Sequence, residues 1–229
     1  MTPVKLVAFD LDGTLADTAS DIARAVDTAL VALGQHSYGV EQVKDWVGEG
    51  LTRFLKRAIT GKMDGEPDPM LLEQVRAGFR KAYLDQVCVD SRLYPGALEV
   101  LDSLQGRYRI ICITNKATEY TGPLLKALDV SHRFELVVCG DTLKVMKPNP
   151  APLLHAAERL GVDPAHCCMV GDSRNDILAA KAAGFRAVAV GYGYHMDDDL
   201  QAMGAETELD SLGELLPWLA GLAAGAPSG

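Results

Sequence analysis

The sequence predicts an α/β fold: a Rossmann-like, doubly wound parallel sheet carrying an inserted all-helical cap. Two observations predict the sheet. Short apolar runs recur at Leu6–Phe9, Ile110–Ile113, Leu136–Cys139, Cys167–Val170 and Ala187–Val190. Most are too continuous for half-exposed strands and suit strands buried on both faces. Helical patterns separate the last four, which gives the strand–helix alternation of a parallel sheet. The third observation concerns the interval between the first run and the second. It is too long for a simple crossover, and residues 16–92 show helical spacing with no convincing strand.

Taken in order, residues 1–15 supply the first strand and its exit. Thr18 and Asp21 make a plausible capping box, followed by Ile22, Val26, Leu30 and Leu33 at helical spacing. Further helical patterns cover Leu51–Ile59 and Met70–Val87, with a loop at Gly61–Pro69. The insertion is expected to hinge near Ala16 and near Leu93–Gly96. Residues 93–229 complete the core. Helices are expected over Pro95–Gly106, Ala117–Leu128, Pro150–Leu160 and Arg174–Ala183, the last stopped by Gly184.

Composition narrows the function classes. Nearly half the 229 residues are hydrophobic, enough for a sizeable core. The net charge of -9 argues against a general binder of nucleic acid or anionic membrane. No apolar stretch approaches the ~20 residues of a membrane span, and the N-terminus does not read as a signal peptide. The expected location is the cytoplasm. Cys88, Cys112, Cys139, Cys167 and Cys168 lack metal-ligand spacing and read as buried free thiols. His36, His132, His155, His166 and His195 show no ligand pattern either, although His195 follows a strand end.

In a parallel α/β sheet, ligands bind beyond the carboxyl ends of the strands. Those ends carry Asp10, Asp12, Gly13 and Thr14; then Thr114, Asn115 and Lys116; then Asp141 and Lys147; then Asp172, Ser173 and Asp176. Taken singly, each has a plain structural explanation, such as a turn Asp, a helix cap or a solvated lysine. Together they bring acids, a hydroxyl and a lysine to one edge. Asp10 and Asp12 stand close enough to repel by roughly 3 kcal/mol at an effective dielectric of ~20. That repulsion calls for an offset or a use. Four acids against Lys147 would also repel a phosphate monoester unless a divalent cation were present.

The set D-x-D-x-T at Asp10–Thr14, Thr114, Lys147-Pro148 and Gly171-Asp172 to Asp176 resembles the haloacid dehalogenase-like superfamily, and the helical insertion resembles its cap. Stretches at Val170–Ile177, Ala179–Gly184, Lys147–Leu153 and Trp46–Gly50, with Gly193-Tyr194, are similar to the bacterial phosphoglycolate phosphatases. The resemblance implies Mg²⁺-dependent hydrolysis of a small phosphorylated metabolite, with 2-phosphoglycolate leading, through an aspartyl phosphate. It implies Asp10 as nucleophile and Asp12 as the acid that protonates the leaving oxygen and then activates water. Crowding by a second carboxylate would help Asp12 keep its proton. Mg²⁺ would be held by Asp10, the main-chain carbonyl of Asp12, and Asp172. Thr114, Asn115 and Lys147 would bind phosphate oxygens, and Asp176 would position Lys147 or metal-bound water.

Other readings stay open. A phosphatase of another sugar phosphate, such as an amino-sugar 6-phosphate, shares these residues, as does a phosphoglucomutase-like isomerase. A phosphoryl-receiving signalling domain is shorter and carries its acids adjacent. A dehalogenase would not need Asp12 or the metal. Substrate choice is expected in the cap, where Gly48 and Gly50 permit close backbone approach. Arg53 could reach a substrate anion or belong to a solvated basic face with Lys56 and Arg57.

Overall fold

The computed structural model describes residues 3–194 and 198–224. His195 lies outside them. The strands are β1 Leu6–Phe9, β2 Ala16–Asp17, β3 Arg92–Leu93, β4 Arg109–Ile113, β5 Leu136–Val138, β6 Cys167–Gly171, β7 Arg186–Val190 and β8 Thr207–Leu209. The helices are α1 Ala19–Ala32, α2 Gly39–Lys44, α3 Leu51–Thr60, α4 Pro69–Asp85, α5 Ala97–Leu104, α6 Thr118–Ala127, α7 Ala151–Leu160, α8 Arg174–Ala183 and α9 Leu215–Ala224.

Six strands form one parallel sheet in the order β5-β4-β1-β6-β7-β8. The chain winds outward from β1 in both directions, so the strand order reverses beside β1 and opens a crevice at its carboxyl end. The pleat explains the apolar runs. Val7 and Phe9 of β1, Ile110 and Cys112 of β4, and Cys168 and Val170 of β6 face one core with α5, α6 and α9. Leu6 and Ala8, Ile111 and Ile113, and Cys167 and Met169 face a second core with α7 and α8. Both faces are dry, so no polar alternation survives. Cys112, Cys139, Cys167 and Cys168 are buried free thiols, and Cys88 is half-buried.

The helices between β2 and β3 enclose an apolar core of their own. Val26, Leu30, Val43, Trp46, Leu55, Val75, Phe79 and Tyr83 meet there, and Tyr120 of α6 reaches into it. α4 starts cleanly because Asp68 accepts from the Met70 and Leu71 N–H groups, with Pro69 in the first turn.

Several sequence expectations need correction. The interval 16–92 does contain a strand: β2 pairs antiparallel with β3, Ala16 opposite Leu93. Two residues are too short to show a period. β8, three residues long, is likewise too short to show one. Residues 95–96 and 105–106 fall outside α5, because Gly96 takes φ 83° and Gln105 is extended. α4 stops at Asp85, where Gln86 leaves helical geometry. The Thr18–Asp21 capping box does not form. The Thr18 hydroxyl donates instead to Asp12 (2.6 Å). The Tyr194 hydroxyl accepts from the Thr18 and Ala19 N–H groups at 2.8 and 3.1 Å, standing where a cap oxygen would.

Candidate active site

The carboxyl ends of β1, β4 and β6 meet at the crevice beside β1. Asp10 is the residue after β1, fixed by its N–H to the Val170 carbonyl (2.9 Å). Its Oδ1 accepts from Leu11 N–H (2.8 Å) and lies 3.0 Å from Lys147 Nζ. Lys147 is only 2 % exposed. Its ammonium also donates to Asp176 Oδ1 and the Ile113 carbonyl, both at 2.6 Å. All three of its protons are therefore spent. Asp176 Oδ2 in turn accepts from Ser173 N–H and Oγ, closing the capping box of α8. Asp176 thus ties the start of α8 to Lys147.

Asp172 follows β6. Thr14 Oγ1 donates to its Oδ1 (2.6 Å) and Tyr194 N–H to its Oδ2 (2.7 Å). Gly13 makes this approach possible. It sits at φ 86°, and a Cβ there would lie 2.3 Å from Asp172 Oδ2. A side chain would be strained by the backbone and would push Asp172 away.

Asp10, Asp172 and Asp176 are buried, with one carboxylate oxygen from each lying within 4.8 Å of the others. Burial pushes the Asp10 carboxyl up to about 8. Lys147 opposes this, and Asp176 and Asp172 add to it. Asp172 rises to about 6, first by burial and then by repulsion from Asp176. Fully ionised, and with Asp12 and its partner Lys116 included, four carboxylates would face two ammonium groups and leave two negative charges unbalanced. Oxygen donors with that deficit suit a hard divalent cation. The Asp12 side chain is not part of this cluster, so any metal bond from residue 12 would come from its carbonyl.

Asp12 faces the other way. Its carboxylate accepts from Thr18 Oγ1 and from Lys116 Nζ at 2.9 and 3.2 Å. Thr114 is buried, and its Oγ1 accepts from Lys116 N–H (3.2 Å). The Asn115 side chain is engaged with backbone: its Nδ2 donates to the carbonyls of Gly48 and Lys147, and its Oδ1 accepts from Lys147 N–H. Asn175 Nδ2 reaches the same Gly48 carbonyl at 3.3 Å. Two core asparagines therefore clasp one glycine of the helical segment. Gly50, at φ 81°, lies so near that a Cβ would meet the Met146 sulfur at 2.9 Å.

These groups border a cavity of about 570 Å³ including its open mouth. Asp10, Asp12, Thr114, Asn115 and Lys116 line one wall. Gly48, Gly50, Leu51, Phe54, Phe79 and Tyr83 come from the helical segment opposite. Arg53 is not among the lining residues. It is half exposed and paired with Glu49 and Asp64. Arg57 is buried against Glu49 and the Trp46 carbonyl. The sequence reading of Arg53 as an anion contact is not carried by this geometry. Lys116, Tyr194 and Thr14 are the site residues whose parts went unread. Lys116 was visible at a strand end, but the contacts of Thr14 and Tyr194 depend on distant partners.

A family profile of haloacid dehalogenase-like hydrolases matches residues 4–184. The chain is 42% identical over 213 residues to a phosphoglycolate phosphatase of Nitrosospira multiformis, covering 93% of this chain and 94% of that one. It is 43% identical over 194 residues to a phosphoglycolate phosphatase of Neisseria gonorrhoeae, covering 83% and 81%. A crystal structure of a predicted phosphoglycolate phosphatase from Haemophilus somnus superposes with a TM-score of 0.89 at 31% identity, covering 95% of this chain and 99% of that one. With a matching fold and a profile spanning most of its length, the chain belongs to the haloacid dehalogenase-like hydrolases.

Proposed function

We propose that the protein is a Mg²⁺-dependent phosphatase that hydrolyses 2-phosphoglycolate to glycolate and inorganic phosphate. The observation that carries the reading is Asp10, buried at the crevice with Lys147 at 3.0 Å and Asp172 within the same acidic cluster. The name shared by the relatives supports the substrate. Bound by Asp10, Asp172 and the carbonyl of Asp12, Mg²⁺ would neutralise charge on the phosphoryl oxygens and keep Asp10 ionised.

The Asp10 carboxylate attacks phosphorus, and the bond to the glycolate oxygen breaks as an aspartyl phosphate forms. Asp12 gives its proton to the departing oxygen and then takes one from the water that cleaves the intermediate. Lys147, with no proton left to move elsewhere, holds a fixed positive charge against the transferred group. Thr114 and the Asn115 backbone N–H bind its oxygens, and Asp176 keeps Lys147 aligned. Residues 16–92 act as a cap, swinging about the β2–β3 pair, with Gly48 and Gly50 closing on the core. The free thiols suit the reducing cytoplasm.

The test is phosphate release from a panel of small monoesters with Mg²⁺. The expected result is the highest kcat/KM for 2-phosphoglycolate, with turnover abolished in Asp10→Asn. A preference for a neutral sugar phosphate, or isomerisation without phosphate release, would overturn the reading.

A further inference from the structure

We infer that Lys116 and the Tyr83 hydroxyl form the subsite for the substrate's second anionic group, the carboxylate at the end opposite the phosphoryl. This deepens the proposed function and rests on it. Among the described residues, Lys116 is the one cation lining the cavity. Lys147 is spent on Asp10, Asp176 and a carbonyl, and Arg53 points to acids outside. The Lys116 side chain is only 8% exposed, and its ammonium lies 4.9 Å from the centroid of the Tyr83 ring.

An ion pair with Asp12 accounts for Lys116 alone. It does not account for Tyr83. This tyrosine is 1 % exposed, lines the same cavity from α4, and buries its hydroxyl with no acceptor for its proton. Such a group ordinarily finds a partner when buried. Lys116 cannot accept its proton, because an ammonium only donates. Both groups therefore present protons with one acceptor missing between them. A carboxylate has two oxygens and accepts from both. The remaining wall is apolar at Ile22, Val47, Leu51, Phe54 and Phe79 and carries one further hydroxyl, that of Tyr120. A buried cation beside a mostly apolar wall thus favours a short phosphorylated acid over a sugar phosphate. Because Tyr83 belongs to the helical segment and Lys116 to the core, the carboxylate would bridge the two.

The experiment compares kcat/KM for 2-phosphoglycolate and ethyl phosphate, which has the same number of carbons and no carboxylate. The wild type should favour 2-phosphoglycolate. In Lys116→Met that preference should fall by about 10- to 100-fold, mainly through KM, and in Tyr83→Phe by about 3- to 10-fold, as expected for lost charged and neutral hydrogen bonds. Lys116→Arg should recover part of it. Equal losses on both substrates would overturn the inference, leaving Lys116 as a support for Asp12. If Lys116→Met does not fold, Tyr83→Phe decides by the same criterion. A wild type that prefers 2-phosphoglycolate while both variants keep that preference refutes the subsite alone. A wild type without the preference refutes the substrate reading together with it.

Discussion

At the residue scale, the polar groups of the crevice were legible together rather than singly, because the ends of successive apolar strands fall on one edge of a parallel sheet. Asp10, Thr114 and Asp172 directly follow β1, β4 and β6, and Asp12 and Lys147 stand in the loops after β1 and β5. What held them was not legible. Thr14 reads as one more turn residue, yet its hydroxyl reaches Asp172 across 158 positions of sequence. It orients the carboxylate and accepts no proton from it. Thr14→Val keeps the shape and removes that donor. Outer partners of metal ligands typically contribute 10–100-fold in metal affinity. The Mg²⁺ concentration for half-maximal activity should rise by about that factor, with kcat at saturating Mg²⁺ close to the wild type. An unchanged Mg²⁺ midpoint would show that Thr14 serves the loop rather than Asp172.

At the scale of elements, helix interiors were readable and their ends were not. The start of α1 shows why. Its sequence offers Thr18 and Asp21 as a capping box, but both side chains have stronger claims elsewhere. Asp21 accepts from the N–H groups of Val89, Asp90 and Ser91 and from Ser91 Oγ, and it pairs with Arg24. One carboxylate therefore staples α1 to the chain returning towards β3, next to the β2–β3 pair. Burial alone would push its carboxyl above the usual range. The hydrogen bonds from Ser91 and Asp90, with Arg24, outweigh it and hold the carboxyl below its usual value. A depressed carboxyl contributes stability above the unfolded value of ~3.9 and loses it as pH falls through the folded one. Asp21→Asn should cost about 1–3 kcal/mol near neutrality. The gap between variant and wild type should narrow below pH ~4. Urea unfolding at pH 7 and pH 3.5 measures both, and a gap that stays constant would assign the loss to packing.

At the scale of the whole molecule, the alternation of apolar runs and helices was enough to anticipate a parallel sheet, and the long first interval announced the inserted helices. Which face of the insertion meets the crevice depends on contacts such as Asn115 to Gly48, which no local pattern encodes. The folded core gathers like charges at one edge, and this has a thermodynamic consequence. Asp10 and Asp172 both have carboxyls raised by burial, to about 8 and about 6. In the folded chain they hold protons that the unfolded chain has released by pH ~5. Stability without a divalent cation should then fall as pH rises from ~4 to 8, because the unfolded state binds fewer protons. A cation that binds the folded state alone reverses this, adding about 2.7 kcal/mol at 100 times its dissociation constant. For a chain of this size that corresponds to a rise in Tm of about 5–10 °C. The rise produced by Mg²⁺ should be larger at pH 8 than at pH 5.5, where protons compete for the same carboxylates. Thermal unfolding at both pH values, with and without Mg²⁺, reads the effect. Asp172→Asn should lose most of the Mg²⁺-induced rise. A rise equal at the two pH values, or intact in that variant, would place the cation elsewhere than at the acids beside β1.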